Sequence, residues 1–220
     1  MTKIMSIKNI ISNIDFFSSL TKDELDIITD ISIINSYEKN YILYYEKEYS
    51  NNLLFLLDGL AKAYKIDKHK NEIFLHYVYK NSLISDIKDD SIYSFSNVSL
   101  LEDSQILNVD YQKFKKYFLD KGILNREFTN EIISKSTQLH SLINREFVFN
   151  SVAKVAMMLN DDLDIFNTLK RAEISLMLHI QPETLSRVLN RFKRDEIISI
   201  KNTKVTVLDA EALKSVYEGL

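Results

Sequence analysis

The sharpest change of pattern in this chain falls near residue 110, and it divides a β-rich part, preceded by a short helical lead, from a helical one. From about Ile31 to Val109 the sequence is written in short runs of aliphatic and aromatic residues: Tyr41–Tyr45, Leu53–Leu57, Ala61–Ile66, Ile73–Tyr79 and Gln105–Val109. Polar turns such as Asp58-Gly59 and Asp67–Asn71 separate them. Many short strands at hairpin spacing predict an antiparallel barrel or jelly roll. From Tyr111 onward the spacing is helical, with no further strand signal until Ile197. Ahead of the strands, Ile7, Ile10, Ile11 and Ile14 recur at helical steps, and Thr21-Lys22-Asp23-Glu24 reads as a capping box opening a second short helix.

The helical part begins with an unusual stretch. Leu124–Phe149 contains no Pro or Gly, and Phe128, Ile132, Leu139 and Leu142/Ile143 form a seam at three-to-four-residue steps that Lys135 and Ser136 interrupt. A long helix with so narrow an apolar seam pairs with a copy of itself or packs on its own barrel; we expect the former, and a homodimer. The acidic Asn160–Asn167 stretch reads as a hinge. The last unit closes with two short strands, Ile197–Ile200 and Val205–Leu208. The expected domains are 1–120, the barrel; 121–150, the long helix; and 151–220, the small helical domain. The fold class is α+β.

Composition removes several chemistries. Cysteine is absent, which excludes disulfides, thiolate zinc, cysteine nucleophiles and iron–sulfur clusters. Three glycines (Gly59, Gly122, Gly219) cannot build a phosphate loop or nucleophile elbow, and four scattered histidines suggest no metal centre, so no enzyme is expected. No apolar run nears the roughly 20 residues of a membrane span, and the N-terminus lacks a secretion signal. A cytoplasmic protein without membrane contact is expected.

The formal charge is −3, but Thr168–Lys204 carries eight Lys/Arg against four acids, leaving the remainder at −7. A local basic segment on an acidic chain suits a focused phosphate-binding surface. Within it, Ile174 and Met177/Leu178 mark the inner face of one helix, and His179-Ile180 makes a turn. Pro182, which fits a first helical turn because its missing N–H costs nothing there, opens another helix. Leu185, Val188/Leu189 and Phe192 form that helix's buried stripe. Glu183, Ser186 and Arg187 share the opposite face at i, i+3 and i+4. Arginine can donate twice to guanine and glutamate can accept from cytosine, so these three are expected to read bases in double-stranded DNA. Lys170, Gln181, Thr184, Arg191, Lys193, Arg194, Lys201 and Lys204 are expected to contact or support contacts to phosphates. Alone, the same residues also fit a surface helix with an i,i+4 Glu183–Arg187 pair.

They do not stand alone. QPETLSRVLNRFKRDEII, Gln181–Ile198, resembles the DNA-binding module of the CRP/FNR superfamily. The plan of the whole chain agrees: a β-roll like a cyclic-nucleotide-binding domain, a dimerisation helix seamed by Phe128, Ile132, Leu139, Leu142 and Ile143, and a winged helix-turn-helix. Glu183-x-x-Ser186-Arg187 is similar to the FNR/DNR recognition set, which implies a two-fold operator with TTGA-like half-sites. RNA polymerase is an implied partner if the protein activates. The stretch equivalent to the nucleotide site, Asn81–Gln105, has no glycine and no arginine. Ser85-Asp86 stands where Gly-Glu is usual and Ser94-Phe95 where Arg-Ser is usual, so cyclic AMP is not the expected effector. Without cysteine, the remaining relatives are those thought to sense nitric oxide through haem and members with other or no small ligands; for haem, His76 and His140 are the candidate ligands. His179 occupies a place usually held by a turn glycine. The alternatives are a β-roll module acting through protein contacts without DNA, and a cyclic-nucleotide-responsive regulator.

Overall fold

The computed structural model describes residues 2–218, with side chains from residue 7. Two compact units divide at Gln138/Leu139, inside a long helix. No helix among the described residues is long and apolar enough to cross a membrane.

The first unit opens with α1 (Thr2–Ser12) and α2 (Lys22–Asp30). The expected capping box is present: the Thr21 N–H donates to the Glu24 carboxylate at 2.8 Å and the Thr21 hydroxyl accepts from the Glu24 N–H. Ten strands follow: β1 (Ser32–Tyr37), β2 (Ile42–Tyr44), β3 (Tyr49–Ser50), β4 (Asn52–Asp58), β5 (Ala61–Ile66), β6 (Glu72–Val78), β7 (Ile87–Lys88), β8 (Ser91–Tyr93), β9 (Asn97–Leu100) and β10 (Ser104–Asp110). They pair antiparallel in the orders β1-β10-β4, β2-β9-β5-β6 and β3-β8-β7. The β4–β5 turn needs Gly59, whose φ is +96° and whose missing Cβ would fall on the Ser104 side chain.

Strand β4 shows why the sequence reads as a solid apolar run. Leu53, Phe55 and Leu57 face a cluster formed with Ile11, Phe16, Phe17, Ile28 and Phe114, whereas Leu54 and Leu56 face the roll interior with Ala61, Ala63, Val98 and Ile106. Both faces of the strand are buried, so alternation disappears. After β10 come α3 (Tyr111–Tyr117) and the long helix α4 (Asn125–Ile143), which ends in a π-helical turn over Asn144–Val148.

The α4 seam differs from expectation at one end. Phe128 is half-buried, its ring 6.4 Å from Phe16 and 6.5 Å from Phe114, so it belongs to the barrel core and not to a free face. Glu131 and Lys135, one and two turns on, share that inward stripe. Ile132, Leu139 and Ile143 are exposed, at 55%, 56% and 43%, and Ile133 joins them; Leu142 is half-buried.

The second unit contains α5 (Ser151–Asp161), α6 (Leu163–Thr168), α7 (Arg171–Met177), α8 (Pro182–Arg194), the hairpin β11 (Ile198–Lys201) and β12 (Lys204–Val207), and α9 (Ala210–Glu218). The Asn160–Asn167 stretch is not a hinge. It is helical except at Asp162, and Phe166 is 1% exposed within this unit's core.

Candidate nucleic-acid interface

Helix α8 is held by the stripe expected for it: Leu185, Val188, Leu189 and Phe192 are all buried. Pro182 occupies its first turn behind the cap residue Gln181. The opposite face is an open concavity lined by Pro182, Glu183, Ser186, Arg187, Asn190, Arg191 and Arg194. Glu183, Ser186 and Arg187 are brought together there and exposed. Arg187 donates to the Thr184 hydroxyl at 3.3 Å, and no ion pair among the described residues joins it to Glu183. Asn190, three residues after Arg187 and seven after Glu183, was not singled out by sequence reasoning, although the same period places it on this face.

Basic residues surround the concavity. Arg191 and Arg194 lie 3.6 and 3.4 Å from the Asp195 carboxylate, so one acid tempers two cations. Lys193 and Lys201 line a second concavity with Ile198, Ile200 and Leu208 on the hairpin side. Lys201 and Lys204 face each other across the last rung of the hairpin, exposed on either side of the Asn202-Thr203 turn. Lys170 is the exposed cap of α7, its backbone N–H donating to Glu173 at 2.8 Å.

Two helix ends set the angle of α8. After α7, His179 donates its N–H to Leu176 and Ile180 donates to Ser175, with His179 left-handed at φ +51°. After α8, Glu196 and Ile197 repeat that pattern onto Lys193 and Phe192, with Glu196 at φ +58°. These are Schellman closures built without glycine. The His179 turn is held from the side, as Nδ1 lies 2.7 Å from Glu146 Oε2. Glu146 also binds Arg145 Nε at 2.9 Å and lies 3.6 Å from Lys154 Nζ, while Lys154 donates to the Leu178 carbonyl at 3.2 Å. Arg145 and Lys154 are both buried. Burial pushes the Glu146 carboxyl up, but the bonds from Arg145 and His179 and the Lys154 charge outweigh it, so its pKa lies below the ordinary value. Sequence reasoning missed this cluster because its members are scattered in the chain.

In the first unit, Ser85, Asp86 and Ser94, which the resemblance sets against a nucleotide site, are engaged internally or buried. The Ser85 hydroxyl accepts from the Leu54 N–H at 2.9 Å and is buried. Asp86 forms an ion pair at 2.9 Å with Lys135 of α4, whose ammonium also donates to the Ile84 carbonyl at 3.1 Å. The Tyr44 hydroxyl donates to the same carbonyl, and burial, reinforced by Asp86, pushes that phenol well up. Ser94 is buried, whereas Phe95 is half-exposed against Tyr93. His76 is half-buried in β6 opposite Ala63, and His140 is exposed on α4; neither lines either concavity described above. Among the described residues no group of His, Asp or Glu is arranged to hold a metal ion.

Residues 152–216 match the model of the Crp-like helix-turn-helix domain. The whole fold is similar to solved structures at low identity. FixK2 from Bradyrhizobium japonicum superposes with a TM-score of 0.71 at 14% identity, over 84% of this chain and 97% of FixK2. A candidate transcriptional regulator of the crp/fnr family from Eubacterium rectale gives 0.64 at 16%, over 93% and 98%. A CooA mutant from Carboxydothermus hydrogenoformans gives 0.64 at 20%, over 84% and 88%. No curated protein sequence matches.

Proposed function

We propose that this chain, a CRP/FNR-type transcription regulator whose residues 152–216 form a Crp-like helix-turn-helix domain, binds a two-fold TTGA-like operator as a homodimer in the cytoplasm. The observation that carries this reading is the division of α8: four apolar residues buried on one side, and Glu183, Ser186 and Arg187 exposed on the other. A 13-residue helix is about 20 Å long, and its first two turns present these side chains to a major groove roughly 12 Å wide. Arg187 would donate to guanine O6 and N7 and Glu183 would accept from a cytosine amino group, while Ser186 bonds a base or phosphate. A carboxylate facing DNA is repelled unless it finds such a donor, so Glu183 discriminates more than it binds. Lys170, Lys193, Lys201 and Lys204, with Arg191 and Arg194, supply phosphate contacts; Gln181 and Thr184 support the base-reading end.

Dimerisation through Ile132, Leu139 and Ile143 is supported by their exposure along α4. For the effector, we favour a ligand other than a cyclic nucleotide, because Asp86 is already paired with Lys135 and no arginine stands near Ser94 in the sequence. Haem held by His76 or His140 is the most readily tested form of this idea: a Soret band that shifts with nitric oxide supports it, and its absence from haem-reconstituted protein removes it. If the protein activates, RNA polymerase is a further partner.

The central test is a titration of wild-type protein against a TTGA-palindrome duplex and a scrambled duplex at several salt concentrations. Salt-dependent, sequence-selective binding is expected, and its absence would leave the protein-contact module as the surviving reading. Arg187→Ala should lose discrimination at one base pair per half-site, worth about 1–3 kcal/mol, whereas Lys201→Ala should weaken all duplexes alike.

A further inference from the structure

The β11–β12 hairpin has several features that work against its holding a fixed shape. Each strand is four residues long, and a two-stranded hairpin is marginal by itself. Its two-residue turn places Asn202 at φ +47° and Thr203 at φ +68°. That conformation suits Asn-Gly and is strained for a β-branched residue. Lys201 and Lys204 then oppose each other directly, like charge against like charge. Yet these two lysines are the ones the hairpin would offer to DNA.

Two residues outside the hairpin hold it. Asn167, near the end of α6, donates from Nδ2 to the Val205 carbonyl at 2.8 Å and accepts the Val205 N–H on Oδ1 at 2.7 Å. Its amide thus pairs with the free edge of β12 as another strand would. Arg171, in the first turn of α7, donates from Nη2 to the Thr203 carbonyl at 2.9 Å, inside the strained turn. Its guanidinium lies 4.4 Å from the ring centroid of the buried Phe166. Nη1 is buried without a hydrogen-bond partner. A cation kept where one donor goes unsatisfied is costly, and what it secures is the turn.

We propose that Asn167 and Arg171 are positioning residues that fix the wing tip so that Lys201 and Lys204 meet the phosphate backbone. This rests on the DNA-binding reading above. Each phosphate neutralised contributes about 0.9 to the slope of log affinity against log salt. Two lysines in each of two protomers therefore account for a slope of up to about 3.6, and a wing left mobile should forfeit much of it.

The test measures that slope on the TTGA-palindrome duplex for wild type, Asn167→Leu, Arg171→Lys, the Lys201→Ala/Lys204→Ala pair, and that pair combined with Asn167→Leu, with circular dichroism as the folding control. Asn167→Leu and Arg171→Lys should lower the slope by about 2 or more, toward the lysine pair, while selectivity over the scrambled duplex persists. The combined variant should be no lower than the lysine pair alone. Arg171→Lys keeps the charge, so a lower slope there means loss of the fork and stack rather than of a phosphate contact made by residue 171 itself. If Asn167→Leu does not fold, Arg171→Lys decides the matter. Wild-type slopes in the clamp variants would overturn the proposal, as would a lysine pair with the wild-type slope. No selective binding by wild type would instead remove the DNA-binding reading beneath it.

Discussion

Replacing Glu146 with glutamine tests whether the His179 turn is held electrostatically. The side chain is 19% exposed, and it faces two basic side chains that are each 10% exposed, Arg145 and Lys154, besides His179. Removing one partner of a buried ion pair costs about 3–5 kcal/mol, because the remaining charge stays buried alone. Here glutamine can still accept one hydrogen bond, and Lys154 keeps its bond to the Leu178 carbonyl, so about 2–3 kcal/mol is expected near neutral pH. The cost should fall on the second unit. Hydrogen exchange of α7 and α8 amides should quicken by roughly 30- to 150-fold where exchange reports that unit's opening. The dependence on pH has a definite sign. Because the folded carboxyl titrates below its ordinary value, its stabilisation is present above about pH 4.3 and disappears as pH falls through the folded value. Wild type and Glu146→Gln should therefore converge in acid. A Glu146→Gln protein with wild-type exchange at pH 7, or a gap unchanged in acid, would refute this account of the cluster.

Lys135→Met should destabilise the first unit by about 1–2 kcal/mol in urea melts, since Asp86 loses its cation, keeping only the Phe95 N–H, and the Ile84 carbonyl loses a donor; adding Asp86→Asn should cost less than the sum of the two changes if they are coupled. Gly59→Ala combines a left-handed φ with overlap on Ser104 and should lower stability by about 1–3 kcal/mol, read as a thermal shift. Leu139→Glu places a charge on the exposed face of α4 and should shift sedimentation toward the monomer with little loss of folded structure, if that face pairs with a second copy.

What could be read from the sequence depended on whether a residue's role left a local pattern. The bounds of β5 and the Thr21 capping box follow from spacing and cap chemistry alone. The wing strands were expected one residue away from where they pair, Ile198 opposite Val207, because the apolar residues at their ends continue past the hairpin ladder. Strand β9 escaped notice for a physical reason. Asn97–Leu100 is buried throughout, but Asn97 and Ser99 make it look like a loop; Asn97 is satisfied inside by the Glu46 N–H and the Tyr64 carbonyl. Strand β1 lies at a sheet edge with Ile33 exposed, so its apolar residues do not follow a buried period.

The same distinction explains why the face of α8 proposed to read DNA is legible in the sequence and a site for an effector is not. A residue that reads a base must be exposed, polar and periodic on a helix whose other side is apolar, and Glu183, Ser186 and Arg187 meet all three conditions within five positions. Residues that hold a unit in shape obey no such period. Asp86 and Lys135 are 49 positions apart, Glu146 and His179 are 33, and Asn167 and Val205 are 38. Lys135 did leave a trace, as a charge interrupting an apolar seam, and its reason emerges only with the fold: it turns inward from α4 to Asp86 and the Ile84 carbonyl. An ionisable residue breaking an amphipathic seam is thus better treated as a clue to an unseen partner than as an imperfection in the seam.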